Sequence, residues 1–302
     1  RSMRKPTQRE AMMMPKFRHA GWFVAALALT CLPVAGQDLH PFADSSRLVS
    51  IGGSLTEIIF ALDEDNRLVA RDQTALYPSA ALNLPDVGYM RALAPEGVLS
   101  VGPTALLVIE GSGPPEALDV LAGAGIDYQT VPEGFSAEGI LLKVRAVGQA
   151  LGVPDKAATL AEQLDAALKA VAGRTADIAD RKRVLFVLSI DGGKIQASGT
   201  HTAANGVIEL AGAVNAITDY EGYKALTEEA IIAAAPDVIL MMDRGGDHGA
   251  PNDELLALPA IVTTPAAETR SVIRMDGLYL LGFGPRTADA ALALAQKIYG
   301  TF

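Results

Sequence analysis

The chain has 302 residues, half of them hydrophobic and a fifth charged, so it can bury a substantial core and is not a disordered segment. A formal net charge of −10 argues against a non-specific binder of nucleic acid or anionic lipid. A single cysteine excludes a disulfide framework and a cysteine-based zinc site.

Residues 14–36 read MPKFRHAGWFVAALALTCLPVAG. Lys16, Arg18 and His19 form a basic start, residues 20–32 an apolar run too short to span a bilayer comfortably, and Pro33 to Gly36 a small-residue end. This is the layout of a cleavable secretory signal, with cleavage near Gly36; an uncleaved anchor is the alternative. Cys31 lacks the leucine three positions upstream that a lipoprotein site would show. Residues 1–13 read as sequence ahead of the true start. Residues 1–36 carry six of the 25 basic and one of the 35 acidic side chains, so the exported remainder has 19 against 34 and a net charge of −15. A cysteine-free exported chain needs no oxidative folding and fits the periplasm.

Residues 47–51 are a short apolar run ending in Gly52-Gly53, which predicts a strand. Ser54-Leu-Thr-Glu57 has the capping-box pattern and predicts a helix through Leu62. A strand follows at 67–70, then a Pro- and Gly-rich loop over 71–95, a short helix at 96–100, a strand at 105–109, a helix at 115–125 and a strand at 128–131. Apolar spacing of three and four predicts helices over 137–151 and 154–180. Pro154 suits the start of the second, and Gly173 is its weak point. Strand 183–188, helix 203–211, strand 238–242 and helix 285–299 complete the pattern. Alternating strands and helices argue for parallel α/β lobes. The expected plan is an exported signal at 1–36, a lobe over 45–153, a connecting helix over 154–181 and a second lobe over 182–302. Each lobe is expected to be Rossmann-like with a parallel sheet.

Residues 93–109 (LAPEGVLSVGPTALLVI) and 226–242 (LTEEAIIAAAPDVILMM) share their spacing. Glu96 matches Glu229, Pro103 matches Pro236, and Gly88-Tyr89 resembles Gly222-Tyr223 with an offset of one. The agreement points to two related lobes with a ligand cleft between them.

Catalytic signatures are missing. There is no GxxxxGK[ST] loop, no GxGxxG spacing after Gly52, no GxSxG elbow and no HExxH helix. His40, His201 and His248 are too scattered for a histidine-rich zinc or manganese receptor. The informative stretch is residues 86–101, DVGYMRALAPEGVLSV. Tyr89 and Arg91 fall on one face of an extended loop, where a guanidinium favours a phenolate. Tyrosinate is a hard anionic ligand suited to ferric iron, haem iron included. A packed, solvated pair is the bland reading of the same spacing.

The order RLVSIGGSLTEIIFAL, RDQTALYP, LPDVGYMRALAPEGVLSVGP, with ASGTHTAANGVIELAGAVNA, YKALTEEAIIAAAPDVIL and LGFGPRTADA later, resembles the periplasmic haem-binding proteins of bacterial ABC importers. The likeness runs from about Arg47 to Gly300. Most of these motifs are shared with cobalamin and siderophore receptors; GYMRALAPEG is the more specific one. The resemblance implies two α/β lobes joined by one long helix, modest lobe motion and haem as the transported ligand. It implies Tyr89 as the haem-iron ligand, supported by Arg91. His201 becomes a candidate second ligand, with a solvated loop histidine as the alternative; His248 is a weaker one. Arg244 would meet haem propionates or the tyrosinate. Tyr77, Tyr223 and Lys224 would line the pocket. Glu96 and Glu229 would dock on a permease–ATPase complex, the alternative being carboxylates that favour helix starts. The implied protein is a monomer without catalytic activity, serving haem and iron uptake. A cobalamin or ferric-siderophore receptor is the first rival, and an exported α/β enzyme the second. The acidic surface opposes haem propionates, so capture would rely on local basic groups, ring contacts and the iron bond.

Overall fold

The computed structural model describes residues 39–243 and 251–301. In chain order the first half contains β1 (Leu48–Ile51), α1 (Gly53–Ala61), β2 (Leu68–Arg71), α2 (Pro95–Leu99), β3 (Ala105–Ile109), α3 (Pro115–Ala122), β4 (Asp127–Val131) and α4 (Ala137–Leu151). Helix α5 (Pro154–Thr175) follows. The second half contains β5 (Arg183–Asp191), β6 (Lys194–Ser198), α6 (Ala203–Leu210), β7 (Val214–Asn215), β8 (Tyr223–Leu226), α7 (Glu228–Ala234) and β9 (Val238–Asp243). It closes with α8 (Asn252–Leu256), α9 (Pro265–Glu268), β10 (Val272–Asp276), α10 (Gly277–Leu281) and α11 (Thr287–Tyr299). The segment expected to be a secretory signal, 1–36, lies outside the described residues.

The first sheet is parallel throughout, in the order β2-β1-β3-β4. Its central strands are buried on both faces, as the continuous apolar runs require. The second sheet repeats that arrangement in its parallel part, β7-β5-β9-β10. The matched segments 93–109 and 226–242 thus occupy equivalent places, each a short helix leading into the strand beside the lobe's first strand. The second sheet is not all parallel, contrary to expectation. β6 runs antiparallel to β5 and β8 antiparallel to β6. The cause is local: Gly192 and Gly193 both have positive φ, 53° and 81°, and turn β5 straight back into β6 as a two-residue hairpin.

Two further expectations change. Ser54 does not cap α1. The helix begins at Gly53 with Gly52 as its N-cap residue and no local side-chain cap. Its free amides are taken from elsewhere in the fold: Gly52 N donates to Asp72 Oδ1 at 2.9 Å and Gly53 N to Thr74 Oγ1 at 2.8 Å. Gly52 is required here, because its φ is 122° and a Cβ would lie 2.6 Å from Ile109. Helix α5 runs unbroken through Gly173 but stops at Thr175, whose hydroxyl turns back onto the Val171 and Ala172 carbonyls.

The described residues fall within one compact unit, and a shared core joins the two sheets. Strand alternation divides the second sheet: Val184, Phe186, Val238 and Leu240 face this shared core, whereas Leu185, Val187, Ile239 and Met241 face a separate one. The antiparallel helices α4 and α5 seat against each other at Gly148, where a Cβ would stand 2.1 Å from that of Ala157. Two polar ties cross between the lobes. Arg286 binds Glu57 through two bonds of 2.9 Å, and buried Lys143 donates to the Phe283 carbonyl at 3.0 Å while pairing with Glu133 at 2.5 Å. Burial pushes the Lys143 ammonium down and the Glu133 carboxyl up, each partly opposed by the other's charge. A common core and these ties join the two lobes.

Candidate functional site

The β2–α2 connection carries Tyr77, Tyr89 and Arg91, and its backbone is heavily tied. Arg71 brackets Asp86 in a bridge, with Arg71 N on the Pro85 carbonyl and Val87 N on the Arg71 carbonyl, both 3.0 Å. Gln73 N donates to the Gly88 carbonyl at 2.8 Å, and Gly88 N donates to Asp86 Oδ1 at 2.8 Å. The Arg71 guanidinium holds the other Asp86 oxygen at 3.1 Å. Gly113 N donates to the Met90 carbonyl at 2.8 Å. Val87 and Met90 are buried by this arrangement, and Tyr89 between them is turned outward, 38% exposed.

Arg91 Nη1 donates to the Tyr89 hydroxyl at 2.8 Å. The i, i+2 placement expected of the pair is therefore present as a direct contact. A cationic donor makes this a charge-assisted hydrogen bond. The same connection exposes Leu76, Tyr77 and Leu82 at 53%, 44% and 50%. Four large apolar side chains exposed within fourteen residues make a surface suited to a flat apolar partner. Leu76 and Leu82 escape a residue-type search because leucine in a loop carries no chemical signature.

Tyr223 opens β8 on the opposite lobe. Its ring packs edge-on against Phe186, with centroids 6.3 Å apart. Burial pushes its phenol up, opposed by hydrogen bonds from Thr202 and the Ala204 amide and by the charge of Arg91. Arg91 on one lobe thus acts on tyrosines from both. Lys224 is exposed, its Nζ 4.9 Å from the centre of the Tyr220 ring. His201 has φ of 57° and is exposed; its Nδ1 lies 3.4 Å from Glu221 and 3.3 Å from Thr200 Oγ1. These contacts keep it in the setting of a solvated loop histidine. Arg244 and His248 lie outside the described residues.

Tyr77 stacks on Arg286, whose guanidinium carbon is 3.6 Å from the ring centre; Tyr279 lies on the same guanidinium at 5.2 Å. Arg286 closes the LGFGPR segment, yet its partners Glu57 and Tyr77 are more than two hundred residues away, so no local spacing announces it. Glu96 and Glu229 are both exposed, in the first turns of α2 and α7. The Glu229 carboxyl is held below the usual carboxylate range by its own amide and by Thr227.

Among the described residues no three His, Cys, Asp or Glu side chains gather to hold a bare metal ion. A single phenolate suits a metal that brings its remaining ligands with it.

Comparison with known proteins follows the geometry. A solved periplasmic heme-binding protein, BhuT, in complex with two hemes, is 41% identical, with 83% of this chain and 97% of BhuT covered and a TM-score of 0.79. The periplasmic heme-binding protein RhuT from Roseiflexus sp. RS-1, in apo form, is 38% identical over 85% of this chain and 98% of its own, with a TM-score of 0.80. The vitamin B12-binding protein of Yersinia pestis is 25% identical over 260 residues, covering 85% of this chain and 88% of its own. The profile of the periplasmic binding protein family matches residues 48–278, and the chain belongs to that family.

Proposed function

We propose that this chain is a periplasmic receptor that captures haem between its lobes and delivers it to an inner-membrane ABC importer, without chemical change to the ligand. The observation that carries the reading is the Tyr89 hydroxyl, bonded to Arg91 at 2.8 Å and turned out of a tied loop that also exposes Leu76, Tyr77 and Leu82. A ferric porphyrin supplies four nitrogens and needs an axial ligand; tyrosinate is an established one. Leu76, Tyr77 and Leu82 offer ring contacts, and Arg91 with Tyr223 carries the polar side of the cleft. Arg244 remains the candidate for the propionates, and His201 for a second ligand reached after a loop movement. The heme-binding BhuT and RhuT, similar over nearly their whole lengths, support this reading. Glu96 and Glu229, exposed at equivalent helix starts of the two lobes, are proposed to orient the receptor on its permease.

A cobalamin receptor is the rival, favoured by the likeness to the vitamin B12-binding protein. Cobalamin needs no phenolate from this loop. The discriminating experiment is a ferric haem titration of the chain from Gln37 onward, followed by visible absorption, with Tyr89→Phe in parallel. Saturable binding with a tyrosinate-to-iron charge-transfer band, lost in the variant, is the expected result. No saturable haem binding, together with tight cobalamin binding, would overturn it.

A further inference from the structure

Asp72 is fully buried at the end of β2, and no ion pair reaches its carboxylate among the described residues. A buried carboxylate persists only where donors surround it. Those donors are neutral: Gly52 N and Thr74 Oγ1 at 2.9 Å on Oδ1, and Thr74 N at 3.0 Å on Oδ2. Gln73, between Asp72 and Thr74, donates its amide to the Gly88 carbonyl at 2.8 Å, one residue before Tyr89. Gly53 N donates to Thr74 Oγ1, so the Asp72–Thr74 pair takes up the first free amides of α1 at the helix's positive end.

The carboxylate thus joins the start of α1 to the segment leading to Tyr77, and Gln73 within that segment reaches the turn carrying Tyr89 and Arg91. An apolar side chain here would leave the Gly52 and Thr74 donors buried and unpaired. A carboxylate accepts from both stretches at once. Tyr77 is tied to the same helix a second time, through Arg286 and Glu57.

We propose that Asp72 is a positioning residue for the cleft, pinning the Tyr77 and Tyr89 segments to α1 so that the Tyr89 hydroxyl is set in place before the ligand arrives. The ligand used in its test rests on the haem reading. Groups that orient a metal ligand from behind are worth about 10–100-fold in metal affinity.

The test is Asp72→Asn, which keeps the shape but sets an amide NH2 against donors. Ferric haem affinity is expected to fall about 10–100-fold, with a weakened tyrosinate band, while circular dichroism stays native. Leu164→Ala in α5 serves as a variant destabilised at a buried site on another element, and is expected to keep wild-type affinity and spectrum. Amide hydrogen exchange of the ligand-free protein reads the same proposal without haem. Exchange at Gln73 and Val87, whose amides hold the Gly88 and Arg71 carbonyls, is expected to quicken in Asp72→Asn and not in Leu164→Ala. If Asp72→Asn does not fold, Thr74→Val replaces it, removing the hydroxyl that links Asp72 to Gly53. Unchanged exchange at Gln73 and Val87 overturns the proposal whatever the ligand. Unchanged haem affinity and spectrum overturn it where the wild type binds haem. Quickened exchange in a protein that binds no haem keeps Asp72 and discards the haem reading.

Discussion

Arg286→Met offers a quantitative test of how the lobes are held together. The guanidinium binds Glu57 through two 2.9 Å bonds, and the two side chains are unequally exposed, Glu57 at 6% and Arg286 at 23%. Removing the arginine strands an almost fully buried carboxylate, which costs about 3–5 kcal/mol. Loss of the stack on Tyr77 adds about 0.5–1 kcal/mol. Removing the acid instead, as Glu57→Met, leaves a guanidinium that still reaches water and rests on two tyrosine rings, so about 1.5–3 kcal/mol is expected. The double variant leaves no stranded charge and should fall below the sum of the two single losses. At roughly 2–4 °C per kcal/mol for a chain of this size, Arg286→Met should melt ~7–24 °C below wild type. Urea unfolding of all four proteins at pH 7 measures each loss and the coupling. A loss under about 1 kcal/mol for Arg286→Met, or a larger loss for Glu57→Met, would refute the argument from buried charge.

Two other outcomes are expected. Burial alone would raise the Glu64 carboxyl, but Lys156 at 2.6 Å and Arg67 at 2.7 Å hold it below its ordinary value of 4.5. A depressed folded-state value gives stability that is present above 4.5 and is lost as pH falls through the folded value. Glu64→Gln should therefore cost about 1–2 kcal/mol at pH 7, and the gap to wild type should close in acid; a constant gap in urea melts between pH 7 and pH 3 would contradict this. On the proposed docking role, Glu96→Lys with Glu229→Lys should abolish haem uptake by cells while leaving ligand affinity unchanged, because both carboxylates stand exposed on helix starts. Uptake at the wild-type level would remove them from the docking surface.

What the sequence determined by itself was whatever depends on neighbouring residues. The buried strands at 48–51 and 105–109 and helices such as 137–151 follow from apolar spacing and punctuation by Gly and Pro, and the structure places them within a residue or two. The paired segments 93–109 and 226–242, matched at Glu96 and Glu229, pointed to two related lobes, and in the structure each leads into the strand beside its lobe's first strand. Tyr89 and Arg91 were legible as a pair because two residues in an extended loop share a face without help from the rest of the fold. Their role could be suggested only because the surrounding segment resembles a known family.

Tertiary structure alone decided what joins distant stretches. The capping-box pattern at Ser54 and Glu57 is sound by local rules, but Asp72 and Thr74 supply the cap, freeing Glu57 to reach Arg286. Asp72, Leu76, Leu82 and Arg286 matter through partners on other elements, and no spacing between neighbours encodes a contact made across two hundred residues. The same holds for the mixed second sheet. A Gly-Gly pair at 192–193 signals the turn that lays β6 on β5, but nothing near β6 in sequence announces that β8 joins its other edge. Local propensity fixes elements one at a time, whereas a buried carboxylate or ion pair exists only where several elements have met and excluded water.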